Sequence, residues 1–245
     1  NLTQGTGSDA ETQFAVTYGH NGGSGSDTQG GTGDSSTLKG QTAAIYKQFA
    51  VNFLAENEVS SGFMISSQGS SGKLATGVKD EYIYVLVGKR ARYKDRINKK
   101  NWTITLSGSN STGKAGTSLS LTDDSKDVEG TGTIMGVRHS IVEGTDGAVT
   151  TPAATRTYGF FYPDMGTMIF SGCELSASIP GAHAGTLMTA SFDTNYSQSA
   201  AGTLMRSSSG FAPNLHDGGN AQNALRLVNC LRMNGSTQAL KFRSE

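Results

Sequence analysis

The chain has 245 residues, and its 20 Lys and Arg balance 20 Asp and Glu, so its charge favours neither nucleic acid nor an anionic membrane as a partner. Charged residues make up 16% of the chain, whereas they make up about 25% of an average soluble domain. Glycine accounts for 33 of the 245 residues, whereas its usual share is about 7%. This composition predicts turn-rich β structure with Gly/Ser-rich loops that pack against neighbours. No apolar run approaches the ~20 residues that span a bilayer, and we expect no membrane partner.

Residues 1–40 consist mainly of Gly, Ser, Thr, Asp and Gln, and such a segment buries too little apolar surface to fold alone. Within it Phe14, Val16 and Tyr18 alternate with smaller residues, as in a strand that is added to the sheet edge of a partner. We therefore predict an assembly arm over 1–40. Residues 41–245 are predicted to form a β-rich domain, which we expect to continue beyond the C-terminus because the last residues alternate like a strand.

Two helices are predicted. The first has Thr42 as its N-cap and runs to about Ala55, with apolar residues spaced for one face. The second covers 220–233 and is followed by Asn234 and Gly235, a typical helix end. Its apolar stripe consists of Ala221, Ala224, Leu225, Val228 and Leu231.

Three segments carry the main strand signals. Residues 82–87 are apolar at every position, which predicts a central strand that is buried on both faces. Residues 101–107 alternate, with Trp102 as the first inward side chain, and predict a half-buried strand. Residues 117–122 alternate in the same way and are predicted to pair with that strand.

Further strands are predicted at 63–65 and 131–142. Residues 157–162 and 167–170 are predicted to form a hairpin, because Pro and Gly between them suit a turn. The fold class is therefore mainly β (α+β), with an antiparallel β-sandwich-like core, two short helices and long Gly/Ser-rich loops.

Residues 108–115 have the spacing of a phosphate-binding P-loop. The position that should carry a Mg²⁺-binding hydroxyl is Ala115, and the following residues alternate like a strand and not like the required helix. We interpret this segment as a hairpin loop and not as a nucleotide site.

The remaining reactive side chains lack the spacing of a catalytic or metal site. His216 and Asp217 could help to bind a metal, but a polar loop is the favoured interpretation. Asp123, Asp124 and their acidic neighbours are interpreted as a solvated acidic turn. Cys173 and Cys230 could form a disulfide, although two buried reduced thiols fit the composition better. We therefore expect no enzyme activity, no catalytic residue, no metal, no cofactor and no small-molecule substrate.

The segment 89–96 is the one strongly basic run of the chain. Nucleic acid is one interpretation, with an aromatic residue for stacking, but the zero net charge favours docking on a neighbouring subunit. A hydrogen-bonding role across an interface is also expected for the Gly-rich segment around residue 20. The predicted interface residues are Tyr18, His20, Arg90, Arg92, Tyr93, Lys94 and Arg96.

Four ordered segments carry a family resemblance. They are Tyr18-Gly19-His20 with residues 23–26, residues 42–49, residues 83–85 with 90–97 and Asn101-Trp102, and residues 161–166. Together they resemble the large virion structural proteins of contractile-tailed phages that infect marine cyanobacteria and similar hosts. The resemblance spans nearly the whole chain. Residues 240–245 also resemble a segment of that family, in which the chain usually continues beyond it.

The resemblance implies a structural component of the phage virion, in the tail or baseplate, that acts by subunit–subunit assembly. Its expected partners are other virion proteins or copies of itself, and its expected location is the virion, assembled in the host cytoplasm. The alternative function is a receptor- or carbohydrate-binding module of a tail fibre, which should display clustered exposed aromatic residues.

Overall fold

The computed structural model describes residues 2–4, 11–23, 26, 40–65, 79–93, 95–109, 115–172, 174–175, 224, 227 and 240–241. In this part of the chain, helix α1 spans Gly40–Phe53, and a 3-10 turn covers Arg90–Arg92. The strands are β1 (Leu2–Gln4), β2 (Glu11–His20), β3 (Tyr82–Gly88), β4 (Thr103–Ser109), β5 (Ala115–Asp123), β6 (Thr131–Thr133), β7 (Gly136–Thr145), β8 (Ala148–Thr151), β9 (Gly159–Tyr162), β10 (Thr167–Ser171) and β11 (Leu240–Lys241).

The strands form one curled antiparallel sheet. Its order is β1-β2-β3-β10-β9-β7-β5-β4-β11, and β6 and β8 also pair with β7. The chain is therefore mainly β, as the composition predicts. The expected pair of facing sheets is not confirmed, because the described strands belong to a single sheet.

The middle of the sheet is buried on both faces. On β3, Tyr84 and Leu86 belong to one apolar cluster, whereas Ile83 and Val85 belong to another that includes residues of α1. β3 lies between β2 and β10, so both of its edges are hydrogen-bonded. This arrangement confirms the central buried strand predicted at 82–87 and explains why that segment has no polar face.

Helix α1 confirms the first predicted helix but begins at Gly40, so Thr42 lies inside the helix and is not its N-cap. The hydroxyl of Ser26 instead accepts a hydrogen bond from the Thr42 backbone N–H, with an N···O distance of 3.2 Å. The helix backbone comes close to β2, where a side chain at Gly19 would lie 2.9 Å from the Tyr46 nitrogen. At the other end, the hydroxyl of Tyr162 donates to the Phe53 carbonyl over 2.7 Å.

Two predicted strand pairs are confirmed. β4 and β5 are antiparallel, with Ile104 opposite Leu121, so a strand follows the P-loop-like segment where a nucleotide site would need a helix. β9 and β10 form the predicted hairpin. Its turn is closed by a hydrogen bond from the Gly166 N–H to the Pro163 carbonyl, and Gly166 has a φ of +60°.

Two strand predictions are corrected. Residues 63–65 are not a strand. The Phe63 N–H donates to the hydroxyl of Tyr46, and the Phe63 carbonyl accepts from the Asp80 N–H, so these groups do not pair with a neighbouring strand. The strand predicted at 131–142 is a hairpin of β6 and β7. The chain reverses before Gly136, whose φ of +96° suits a glycine and interrupts a strand.

The prediction for residues 14–18 is also corrected. β2 pairs with β3 of the same chain and not with the sheet of a partner. The pairing runs from Phe14 opposite Gly88 to His20 opposite Tyr82. Tyr18 is 0% exposed and packs against the rings of Tyr82 and Tyr84. This part of the expected arm therefore belongs to the core of the domain.

Most of the predicted second helix, both cysteines, His216 and Asp217 lie outside the described residues. Ala224 and Leu227, which fall within the predicted second helix, are buried in the same cluster as Trp102. In the part of the chain that the structure describes, no helix is long and apolar enough to cross a membrane.

Candidate assembly interface

The basic segment after β3 is held against the β9–β10 turn. The Arg90 guanidinium donates to the Asp164 carbonyl over 2.8 Å, and the Tyr93 hydroxyl donates to the Met165 carbonyl over 2.9 Å. The Ile97 N–H donates to the Pro163 carbonyl over 3.1 Å. These bonds position the segment within its own domain, whereas the sequence predicted docking on a neighbour.

Tyr93 packs between the 3-10 turn and the β9–β10 turn. Its ring is buried, and the Arg90 guanidinium lies 5.1 Å from the ring centroid. A side chain at Gly166 would lie 2.2 Å from the Tyr93 hydroxyl, so only glycine permits this approach. The ring is therefore a structural support for the arginines and is not available to a partner.

The arginines themselves face outward. Arg90, Arg92 and Arg96 are exposed, and the short 3-10 turn between Arg90 and Arg92 fixes the backbone that carries the first two. Guanidinium groups bind carboxylates with two parallel hydrogen bonds, which gives them a directional preference for acidic partners.

An apolar hairpin tip lies against the same β9–β10 turn that Arg90 contacts. Ile134 between β6 and β7 is 71% exposed, and Val137 and Met165 are exposed as well. The tip adjoins the β9–β10 turn, because a side chain at Gly136 would lie 2.8 Å from the Asp164 carboxylate. We call the group formed by these residues the turn surface; it comprises Arg90, Arg92, Arg96, Ile134, Val137 and Met165.

The structure separates the predicted interface residues into two groups. Tyr18, His20 and Tyr93 are buried inside the single chain and present almost no side-chain surface, which corrects the interface role expected for them. The Nδ1 of His20 accepts a hydrogen bond from the Gly22 N–H over 2.9 Å, and burial lowers the pKa of the imidazole although Glu81 raises it. Lys94 lies outside the described residues. The interface remains a prediction for the three exposed arginines.

Sequence reasoning missed Ile134, Val137 and Met165. A signal was present, because a large apolar residue stands at a hairpin tip between Gly132 and Gly136, where polar residues are usual. The strand predicted over the whole of 131–142 concealed that tip. Large exposed apolar residues in a group are typical of docking surfaces.

The acidic cluster is only in part a solvated turn, which corrects that interpretation for Asp123 and Asp124. Asp123 and Asp124 are buried, whereas Asp127 and Glu129 are exposed. Asp123 accepts a hydrogen bond from the Lys100 N–H over 2.9 Å and one from the Ser125 hydroxyl. These carboxylates satisfy backbone donors, so their role in the described part is structural.

Asp124 accepts a hydrogen bond from the Ser140 N–H over 2.9 Å. Burial raises the pKa of Asp124 to about 6, while the bonds from Ser140 lower it. In the described ranges, no three His, Cys, Asp or Glu side chains come together in a way that could hold a metal ion.

Comparison of the chain with protein-family models, with curated proteins and with solved structures found no match.

Proposed function

We propose that this chain is a structural component of a bacteriophage virion, in the tail or baseplate, and that it assembles through the turn surface. The observation that carries the proposal is that an exposed apolar tip and the exposed Arg90 both lie against the same β9–β10 turn. Arginine, methionine and large apolar residues are enriched where proteins bind one another. The resemblance of four ordered segments to virion proteins is the reason for proposing a phage tail or baseplate as the assembly.

The rigidity of the turn surface supports this role. Gly88 and Arg90 both donate to carbonyls of the β9–β10 turn, at 2.9 Å and 2.8 Å, so the segment is ordered before any partner arrives. Binding by a pre-ordered surface loses less conformational entropy than binding by a mobile loop. A subunit present in many copies gains from such a surface, because each contact adds to the stability of the particle.

The finer architecture is part of the same proposal. The buried positions Ala224 and Leu227 are consistent with a second helix that covers the cluster around Trp102. A sandwich-like core would follow if the curl of the sheet brings its distant strands face to face across that cluster. The Gly/Ser-rich part of residues 1–40 that does not belong to β2 remains the proposed assembly arm.

The alternative, a sugar- or receptor-binding module, receives no support from the described surface. The strongly exposed large apolar side chains there are Val51, Val128, Ile134, Val137 and Met165, and none is aromatic. Sugar-binding sites usually stack an aromatic ring on the sugar, and Trp102 is fully buried.

The test is incorporation of variants into particles. The full-length gene with Ile134→Asp is expressed with the other virion proteins, and the purified particles are assayed for the chain by quantitative mass spectrometry. We expect Ile134→Asp to melt like the wild type and to be reduced about tenfold or more in particles, since a charge replaces an apolar contact.

The matched control is Val51→Asp, because Val51 is also an exposed apolar residue but lies on α1. It should enter particles normally. Equal incorporation of both variants would show that the turn surface is not the interface. Absence of the wild-type chain from particles would overturn the proposed function itself.

A further inference from the structure

An open groove of about 470 Å³ lies against β7, and the described residues around it do not fill it. Its floor includes the imidazole of His139, and Val128 and Val137 line it as apolar walls. Lys99 is the half-buried cation of the groove. Since Val137 also belongs to the turn surface, the groove is continuous with the proposed interface.

His139 is the unusual member of this group. It is only 4% exposed, yet neither Nδ1 nor Nε2 has a hydrogen-bond partner among the described residues. Buried polar atoms in folded proteins are nearly always hydrogen-bonded, so such a ring points to a ligand. Gly130 packs closely on the ring, since a side chain there would lie 2.8 Å from Cε1, the carbon between the two nitrogens.

The charges around the ring select the ligand. Burial lowers the pKa of His139, Lys99 and Lys100 lower it further, and Asp123 and Asp164 oppose them. The ring is therefore neutral at neutral pH and carries one N–H donor and one acceptor. An N–H donor near an ammonium group is suited to an anion.

The other charged residues of the groove do not change this preference. Lys126, Asp127 and Glu129 are all exposed, so they lie at the rim in contact with water and are screened. Lys99 has the largest effect of any charged group on His139 and lies deeper. In the described residues, no three acidic, cysteine or imidazole side chains converge at the groove.

We propose that the groove receives an acidic side chain of a neighbouring virion subunit, with its carboxylate between the Lys99 ammonium and the His139 imidazole. The apolar residues next to that acid pack on Val128 and Val137. This inference rests on the proposed function, because a subunit that covers the turn surface reaches the groove through Val137. A polypeptide fits better than a free anion because the apolar walls need an apolar ligand group.

The experiment uses the full chain with ¹³C,¹⁵N-labelled histidine and measures the His139 resonances by NMR. The probes are acetyl-Leu-Asp-Leu-amide, the matched acetyl-Leu-Asn-Leu-amide, and sodium acetate. We expect only the aspartyl peptide to shift the His139 signals saturably. A carboxylate beside the ring should also raise the pKa of His139 by about half a unit or more.

Two variants locate the binding site. Lys99→Met should weaken binding of the aspartyl peptide by about tenfold, since the ammonium partner is lost. Lys89→Met removes an equal charge from a residue that does not line the groove and should bind normally. Melting temperatures of both variants show whether each one is folded. A folded His139→Gln variant should no longer bind the aspartyl peptide. If the His139→Gln variant does not fold, the Lys99→Met variant still tests the site.

Equal binding of the aspartyl and asparaginyl peptides, or of the peptide by Lys99→Met, would overturn the carboxylate site. Acetate that binds as tightly as the peptide would replace the partner side chain by a free carboxylate and would also overturn the inference. The outcome is separate from the proposed function. Particles that incorporate Lys99→Met normally but exclude Ile134→Asp would retain the assembly role and reject the groove as part of the interface.

Discussion

The Arg138 guanidinium on β7 donates two hydrogen bonds to the carboxylate of Glu58, which follows α1 in the chain. The distances are 2.5 Å from Nη1 to Oε2 and 2.7 Å from Nη2 to Oε1. The Phe160 ring centroid lies 4.2 Å from Cζ of the arginine. The pair therefore joins the segment after the helix to the sheet at a point where the arginine is almost completely buried.

Replacement of Glu58 should destabilise the domain. Glu58→Gln leaves the buried guanidinium without a charged partner, and we expect a loss of about 2 to 3 kcal/mol in the free energy of unfolding, less than for a fully buried pair because Glu58 is 31% exposed. Urea unfolding at pH 7 measures the loss. Glu56→Gln, at an exposed neighbouring position, is the control and should change stability by less than about 0.5 kcal/mol.

The same pair predicts an acid effect. Burial raises the pKa of Glu58, but the hydrogen bonds and charge of Arg138 outweigh it and hold the pKa below its ordinary value. Its stabilisation is therefore present above the ordinary glutamate pKa and is lost as the pH falls below it. Glu58→Gln should lose less stability than the wild type over this acid range, and an identical pH dependence would contradict the prediction.

Asp124 should show the opposite pH dependence. Its pKa in the folded protein is raised from 3.8 to about 6, so its contribution to stability is present below pH 3.8 and is lost as the pH rises through about 6. Asp124→Asn keeps an oxygen for the Ser140 N–H without the charge. We expect it to gain on the order of 1 to 2 kcal/mol at pH 8 relative to the wild type.

Urea titrations at pH 4 and pH 8 test this prediction. The difference between Asp124→Asn and the wild type should shrink at pH 4, where the wild-type carboxyl is largely protonated. Asp127→Asn serves as the control because Asp127 is exposed. A gain of the same size in both variants would indicate a general charge effect and not the buried carboxyl.

Gly166 should tolerate no side chain. Gly166→Ala places a methyl group at a φ of +60° and 2.2 Å from the Tyr93 hydroxyl, so the turn or the tyrosine must move. We expect a loss of about 1 to 3 kcal/mol in thermal unfolding. Gly132→Ala is the matched control, since nothing lies within 4 Å of its new methyl group, and it should leave the melting temperature nearly unchanged.

The N-terminal strand should be protected in the isolated chain. β2 pairs with β3 over residues 14–20, so hydrogen exchange of amides that donate within this ladder should be slow in the monomer. Amides of the exposed turn at 56–57 provide the fast reference.

Deletion of residues 1–36 should unfold the domain, because it uncovers β3. Rapid exchange throughout 14–20 would restore the arm predicted from the sequence.

Much of the sheet could be predicted because its strands carry local patterns. The apolar run at 82–87, the alternation beginning at Trp102, and the Pro and Gly of the β9–β10 turn each specify a local conformation by themselves. The strand predicted at 63–65 is wrong because the backbone of Phe63 is hydrogen-bonded by the Tyr46 hydroxyl and by Asp80, both distant in the sequence, and not by a neighbouring strand.

Side-chain periodicity is a local property, and it was enough to predict that the chain is mainly β, where its first helix lies and which strand is buried on both faces. Which surfaces stay exposed depends on contacts between distant parts of the chain. Hydrogen bonding of β2 to β3 placed Tyr18 and His20 inside, and the close approach of Gly166 to Tyr93 turned a predicted contact residue into a support. Burial depends on which strands become neighbours, and that pairing is set by contacts between residues far apart in the chain.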